Sequence, residues 1–330
     1  MSILLRSVPV LPSVPGRRSG AVLSVLLLGV SLLTVVGAAG PARAASTSPA
    51  PTSSRYMSTT DPATAYAEGK ADGLAGSRGA TILDFGRPAM SGTTSGTLDF
   101  AGHFDSDATI LTAAQRYADA YYDYSPSYTV MHLMLGTSNS CGTGQPCGGI
   151  TCGCGLQPTS FTAWGQAWGR TTTALESYLR AKPSYYTTVV HGDAADDAEP
   201  GYDPAFTNTA NLLAGYASAT TRPLADYGSL DGGPCCSAWT AAQQYQVAYG
   251  FAPDVPFAEI YYASQAVQWA ALDHWSVVNK GHKMMMFGVL TQYPYGGYSP
   301  AQGYTQLLTD LNTFYPDTAQ SSIQWLSNIS

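Results

Sequence analysis

Charged residues are scarce in this sequence. Asp, Glu, Lys and Arg make up 11% of the 330 residues, with 22 acidic and 15 basic side chains. Four basic residues and no acidic ones precede position 45, so the rest of the chain holds 11 basic against 22 acidic residues, a formal net charge of −11. An acidic chain repels phosphate and anionic lipid, which disfavours nucleic acid and anionic membranes as partners.

The signature motifs of several enzyme classes are also missing. The sequence contains no GxSxG, no HExxH and no P-loop, the usual marks of serine acyl transfer, zinc proteolysis and nucleotide hydrolysis. No GxGxxG follows the first predicted strand, which disfavours dinucleotide binding. We therefore expect no cofactor, and we predict no metal site.

Long apolar runs are absent after the first 44 residues. Residues 21–36 form a short apolar run that follows Arg17 and Arg18 and precedes Ala42-Arg43-Ala44, a pattern typical of a secretory signal peptide and its cleavage site. The sequence thus predicts a signal peptide over residues 1–44, secretion, and no stable membrane anchor. Residues 45–60 are rich in Ser, Thr, Pro and Ala and are predicted to be a flexible leader before a single domain over residues 61–330.

All six cysteines follow the predicted signal peptide, and an even number in an exported protein indicates disulfides. Four lie in one Gly-rich loop, and the remaining two are adjacent in the sequence. They are Cys141, Cys147, Cys152, Cys154, Cys235 and Cys236. The loop contains no CxxC pair, so a zinc site is the less favoured interpretation. We predict cross-links between the loop and the adjacent pair, and a bond within that pair is the alternative.

Predicted strands and helices alternate along the chain. The seven predicted strands span residues 80–85, 128–135, 185–191, 223–228, 257–262, 284–290 and 323–326. Single strands separated by helices pair in parallel, which predicts an α/β fold with helices outside the sheet. A (β/α)8 TIM-barrel-like fold, possibly irregular, needs an eighth strand, which we expect between residues 136 and 160. A doubly wound open sheet is the alternative.

The densest acidic cluster follows the third predicted strand. Four carboxylates, those of Asp193, Asp196, Asp197 and Glu199, lie within seven residues. Carboxylates crowded at the end of a strand repel one another, which raises the pKa of at least one of them, as a general acid requires. A solvated turn that caps the next helix and a Ca²⁺-binding loop are two other interpretations.

Two short motifs resemble those of a known family. Ile82-Leu83-Asp84-Phe85 and Asp197-Ala198-Glu199 are similar to the first-strand Asp and the Asp-x-Glu of the family 25 glycoside hydrolases, which are exported muramidases with a (β/α) barrel. The chain as a whole resembles secreted glycoside-hydrolase-like barrel proteins of actinobacteria, which carry a comparable D-x-E-P segment. The resemblance implies a barrel that acts on a cell-wall or extracellular polysaccharide.

Acid-assisted cleavage of a glycoside requires two carboxylates, one to protonate the leaving oxygen and one to stabilise or attack the sugar. We predict Glu199 as the general acid, with Asp197 beside it and Asp84 facing it in ionised form near Arg87. The predicted substrate contacts are polar or aromatic residues on or after the predicted strands; they are Asn139, Asp193, Tyr202, Glu259, Gln292 and Trp325. Glu259 is also the rival acid, although a place inside its predicted strand favours a structural role.

Aromatic residues are abundant, with 22 Tyr and 6 Trp. Hydroxyl groups and aromatic faces on a weakly charged surface suit sugars, so we expect peptidoglycan or another polysaccharide as the partner. The final predicted strand is not followed by an acid, and this favours a second possibility, a catalytically silent glycan-binding barrel. A structural or envelope-interaction protein is the third.

Overall fold

Eight parallel strands close into a barrel in the computed structural model, which describes residues 47–126, 129–138, 151–152, 158–187, 189–200, 202 and 205–330. The described strands are β1 (Thr52–Tyr56), β2 (Gly79–Asp84), β3 (Arg87–Ser91), β4 (Thr94–Leu98), β5 (Phe104–Ser106), β6 (Met131–Thr137), β7 (Thr151–Cys152), β8 (Val190–Asp196), β9 (Leu224–Asp226), β10 (Asp254–Glu259), β11 (Gly288–Thr291) and β12 (Trp325–Ile329). The order around the barrel is β1, β12, β11, β10, β9, β8, β6 and β2. The predicted (β/α)8 fold is therefore confirmed.

Helices follow most of the barrel strands and cover the outside of the barrel. They are α1 (Pro62–Ala75), α2 (Asp107–Tyr124), α3 (Pro158–Arg180), α4 (Ser184–Thr187), α5 (Phe206–Ala219), α6 (Gly233–Cys236), α7 (Ala241–Tyr245), α8 (Ala263–Lys280) and α9 (Pro300–Thr313). Within the described ranges, no helix is long and apolar enough to cross a membrane.

The first barrel strand lies in the segment that the sequence predicted to be a flexible leader. β1 pairs with β12 through Thr52 and Ser327 and with β2 through Tyr56 and Asp84, so it closes the barrel. Its inward contacts are polar, because the buried Ser54 hydroxyl lies 2.7 Å from the Ser327 hydroxyl. A strand held by hydroxyl groups has no apolar alternation to reveal it. The eighth strand is therefore at the start of the domain and was wrongly expected between residues 136 and 160.

An antiparallel sheet is inserted after β2, in a segment for which the sequence predicted no strand. Its strand order is β5, β4, β3 and β7. Gly96 of β4 lies so close to β5 that a Cβ atom there would come within 2.0 Å of the Asp105 carbonyl oxygen. The Gly96 carbonyl accepts a hydrogen bond of 2.8 Å from the Trp164 indole of α3, which fixes the hairpin against the barrel.

The strand that carries the acidic cluster is displaced from its predicted place. The sequence predicted residues 185–191, but β8 spans Val190–Asp196, and α4 occupies much of the predicted range. Gly192 lies within β8, and α3 packs closely on it: a Cβ atom added there would lie 3.0 Å from the Leu175 side chain and from the Glu176 backbone nitrogen. A glycine needed for close packing was thus mistaken for the end of the strand.

The structure also corrects the disulfide prediction. Cys235 and Cys236, at the end of α6, are bonded to each other rather than to the Gly-rich loop, which is the alternative that the sequence left open. Cys152 lies on β7, which pairs with β3. Cys141, Cys147 and Cys154 lie outside the described residues.

Candidate functional site

Alternation along the barrel strands sorts the side chains into two layers. Ala195 and Tyr227 face the barrel interior, so Asp196 and Asp226 face the surrounding helices. The interior side chains at the carboxyl ends of the strands include Tyr56, Asp84 and Glu259. This end of a (β/α)8 barrel is where ligands bind.

Three carboxylates converge at this end. Asp197, Glu199 and Glu259 each place one oxygen so that all three oxygens lie within 4.8 Å of one another. Asp197 and Glu199 directly follow β8, and Glu259 is the last residue of β10. The sequence predicted a strand over residues 257–262, with Glu259 inside it. In the structure β10 begins earlier and includes Pro256, so Glu259 is its last residue. We call Asp197, Glu199 and Glu259 the carboxylate cluster.

Two members of the cluster are held by polar neighbours. The Ser229 N–H donates to Glu199 Oε1 at 3.1 Å, and a backbone donor of this kind favours an ionised carboxylate. The Gln265 amide donates to Glu259 Oε1 at 2.5 Å. Glu259 is 8% exposed, and burial, followed by the negative charge of Glu199, raises the pKa of Glu259 to about 8. Glu259 is therefore protonated at neutral pH.

Asp84 lies fully buried at the end of β2. Its Oδ1 accepts a hydrogen bond of 2.8 Å from the Gly86 N–H, and its Oδ2 lies 2.8 Å from the Tyr227 hydroxyl. Burial raises the pKa of Asp84 to about 7, although both of these hydrogen bonds favour the ionised form. The sequence predicted an ionised Asp84 near Arg87, whereas burial favours the protonated form of this carboxyl group.

Tyrosine hydroxyls surround the carboxylates. Burial raises the pKa of Tyr56, Tyr227 and Tyr261, and nearby carboxylates raise it further, so all three remain protonated near neutral pH. Tyr261 is hydrogen-bonded to Glu259, and the Gln292 amide donates to the Tyr56 hydroxyl at 3.0 Å. Sequence analysis identified Gln292 but missed the three tyrosines. Each lies at a strand end or within two residues after it, which is the signal that could have revealed them.

Three predicted substrate contacts are not part of this site. Asp193 lies in the middle of β8 and pairs with His132 Nδ1 at 2.8 Å and with Arg222. Trp325 is the first residue of β12, and its ring lies 5.3 Å from that of His132, near the start of β6. Trp325 and His132 therefore lie towards the end of the barrel opposite the carboxylate cluster. Tyr202 is fully buried in the helix layer. Asn139 lies outside the described residues.

Two cavities, each of about 540 Å³, adjoin the carboxylate cluster. The first, the Arg87 cavity, is lined by Tyr56, Gly86, Arg87, Leu98, Asp99, Phe100, Ala101, Gly102, Ser138 and Asp197. The second, the Asp231 cavity, is lined by Pro200, Ser229, Asp231, Gly232, Ala238, Gln265 and Gln268. Ser229 and Gln265 are the residues that bind Glu199 and Glu259, so the cluster lies where the two cavities approach each other.

The carboxylate cluster offers two kinds of chemistry. A protonated Glu259 beside an ionised carboxylate is an acid and base pair. Three carboxylate oxygens within 4.8 Å of one another are also ligands that a hard divalent cation such as Ca²⁺ prefers. The sequence predicted no metal, and the two possibilities are separated by experiment below.

The sequence matches no protein-family model and no curated protein. Two solved structures are similar to the chain at low identity. One is the homocysteine methyltransferase MmuM from Escherichia coli, with a TM-score of 0.43 and 12% identity, covering 84% of this chain and 89% of that chain. The other is a conserved exported protein from Bacteroides fragilis, with a TM-score of 0.40 and 10% identity, covering 84% and 68%. The barrel fold follows from the closed order of the eight strands and does not depend on these two structures.

Proposed function

We propose that the protein is a secreted glycoside hydrolase-like enzyme that cleaves a cell-wall or extracellular polysaccharide by carboxylate acid and base catalysis. The observation that carries this proposal is the convergence of Asp197, Glu199 and Glu259 between two cavities at the carboxyl end of the barrel. The motifs around Asp84 and Asp197-Ala198-Glu199, which resemble those of family 25 glycoside hydrolases, support it. Secretion is supported by the apolar run and cleavage pattern within residues 1–44.

Glu259 is the proton donor in this proposal, and Glu199 is the carboxylate that faces the sugar. The raised pKa of Glu259, about 8, keeps a proton available at neutral pH. The Ser229 N–H supports the ionised form of Glu199. The sequence predicted Glu199 as the general acid with Glu259 as its rival; the deeper burial of Glu259 favours the rival.

The spacing of the two glutamates favours retention of configuration. Retaining enzymes hold their carboxyl groups about 5–5.5 Å apart, whereas inverting enzymes leave about 6.5–9.5 Å for a water molecule. The cluster oxygens lie within 4.8 Å of one another, which is closer to the retaining geometry. Glu199 would then attack the sugar, and Glu259 would protonate the leaving oxygen.

The test is release of reducing ends from peptidoglycan and a polysaccharide panel by the wild-type protein and two variants. Glu259→Gln and Glu199→Gln should each lower turnover by about 10²-fold or more, the usual contribution of such a group. Asp123→Asn, which removes an exposed charge near the end of α2, is the control. Normal turnover by Glu259→Gln would contradict the assigned role. Loss of activity in a chelator, restored by Ca²⁺, would instead favour a cation at the cluster.

The alternative is a catalytically silent barrel that binds glycans. The specific observation in its favour is the hydrogen bonding of Gln292 to Tyr56, which places a neutral amide at the end of β11. Binding to a polysaccharide without release of reducing ends at any pH between 4 and 8 would establish this alternative and exclude the hydrolase.

A further inference from the structure

Exposed aromatic side chains are concentrated at the end of the barrel that carries the carboxylate cluster. Phe100 lies in the turn between β4 and β5, Tyr262 follows β10, and Tyr293 and Tyr295 follow β11. These four side chains, the rim aromatics, are between 48% and 80% exposed. Grouped aromatic faces in water are unfavourable for a monomer and mark ligand grooves.

Neighbouring groups position two of the rim aromatics. The Phe100 ring meets the Tyr56 ring edge-on, with 4.9 Å between centroids. The Asn328 side chain accepts a hydrogen bond of 2.8 Å from the Tyr293 N–H and donates one of 2.9 Å to the Tyr293 carbonyl. The first contact orients the Phe100 ring and the other two fix the backbone that carries Tyr293 before a ligand binds, which reduces the entropy cost of binding.

The charges of the cavities restrict the ligand. Among the described lining residues of both cavities, Arg87 is the one cation, while Asp99, Asp197 and Asp231 are acidic. The negative charge of Asp231 reaches the cluster, because it contributes to the raised pKa of Glu259. An acidic sugar would be repelled by this field, whereas hydroxyl groups can bond with uncharged lining groups such as Gln265 and Gln268.

From the two cavities, the rim aromatics and the charges, we propose that the site binds an internal segment of a polysaccharide without acidic groups. Sugar units occupy the Arg87 cavity and the Asp231 cavity on either side of the carboxylate cluster, and further units stack on the rim aromatics. This inference rests on the proposed function and adds that cleavage occurs within the chain rather than at its end.

The test is calorimetric titration of the Glu259→Gln variant, so that binding is measured without turnover. The probes are cellohexaose, chitohexaose and mannohexaose, the disaccharide of each, and polygalacturonate. At least one hexasaccharide should bind at least tenfold more tightly than its own disaccharide. It should also bind at least tenfold more tightly than polygalacturonate when affinity is expressed per binding site. Equal affinity for the disaccharide, equal affinity for polygalacturonate, or binding of none of these probes would each overturn the inference.

Two further variants test the rim aromatics in the same background. Tyr295→Ala and Phe100→Ala should each weaken hexasaccharide binding by fivefold or more. Phe314→Ala removes an aromatic ring that is 59% exposed at the end of α9, away from the cavities, and should leave binding unchanged. Equal binding by all three variants would overturn the assignment of the rim. Tight hexasaccharide binding with no reducing ends released by the wild type would instead defeat the proposed hydrolase alone.

Discussion

The protonation state of the buried Asp84 decides how the Tyr227 hydroxyl is hydrogen-bonded. Below its pKa of about 7, Asp84 carries a proton that it can donate to the Tyr227 oxygen. The Tyr227 hydroxyl is then free to donate to the Thr137 carbonyl, 3.0 Å away. Above this pKa the Tyr227 proton is drawn to the carboxylate, so the bond to Thr137 is lost.

The variant Asp84→Asn should imitate the protonated acid at every pH. Its amide can donate to Tyr227, and its carbonyl can accept from the Gly86 N–H, so urea unfolding below about pH 4, where Asp84 is protonated in the unfolded chain as well, should give nearly wild-type stability. At pH 9 the variant should be more stable than the wild type, because it buries no charge. Asp84→Ala, which leaves these partners unpaired, should lose about 1–3 kcal/mol. Loss of turnover in a fully stable Asp84→Asn protein would show that catalysis requires the ionised carboxylate.

The candidate site could be predicted from the sequence only in part. Asp197 and Glu199 were found because a dense run of carboxylates after a predicted strand is visible as a pattern, whereas Glu259 was placed inside its strand. Asp193 was misplaced because Gly192 was taken for a strand end, although it serves close packing with α3. Tyr56 was missed because the strand that carries it has no apolar alternation.

Among the elements, the ends of helices carry local sequence signals that the ends of barrel strands lack. Asp61 caps α1 by accepting a hydrogen bond of 2.9 Å from the Thr64 N–H, and Gly76 ends that helix in the left-handed conformation. Barrel strands depend on partners far away in the sequence. β1, for example, is fixed by β12, more than 270 residues later.

The helix pair α3 and α5 packs through glycines on both partners. A Cβ atom at Gly165 would lie 2.0 Å from the Leu212 carbonyl oxygen, and one at Gly215 would lie 2.3 Å from the Thr162 carbonyl oxygen. Backbone atoms cannot move aside as a side chain can. The two helix axes therefore approach closely only because both glycines lack a side chain.

Gly165→Ala should accordingly destabilise the protein, although alanine favours helices by up to about 1 kcal/mol over glycine. Overpacking against a backbone costs typically about 1–3 kcal/mol, so after the gain in helix propensity chemical denaturation should show a net loss of about 1–2 kcal/mol. Ser177→Ala, on the exposed face of the same helix, is the control and should change stability by less than about 0.5 kcal/mol. Equal stability of the two variants would mean that α3 can move away from α5.

At the scale of the molecule, several buried carboxyl groups in the described part of the chain form no salt bridge, those of Asp84, Asp196, Asp226, Asp254 and Asp273 among them. Burial raises the pKa of Asp84 and Asp273 to about 7 and that of Asp196 to about 8. Burial and the charge of Asp196 also raise the pKa of Asp226 and Asp254, on the neighbouring strands. In the described part of the chain, the carboxylate oxygens of Asp196 and Asp254 have no hydrogen-bond partner. The folded protein therefore retains protons that the unfolded chain releases near pH 4.

This difference in proton binding predicts that the protein is most stable in acid. Because the folded state binds more protons than the unfolded state between about pH 4 and pH 8, stability is greatest below about pH 4 and falls as the pH rises to about 8. Each such group contributes a slope of at most about 1.4 kcal/mol per pH unit. Asp196→Asn should flatten the slope measured by urea unfolding, whereas Asp123→Asn, at an exposed position on α2, should not. A wild-type stability that rises between pH 5 and pH 8 would mean that these carboxyl groups are ionised and paired in the folded protein.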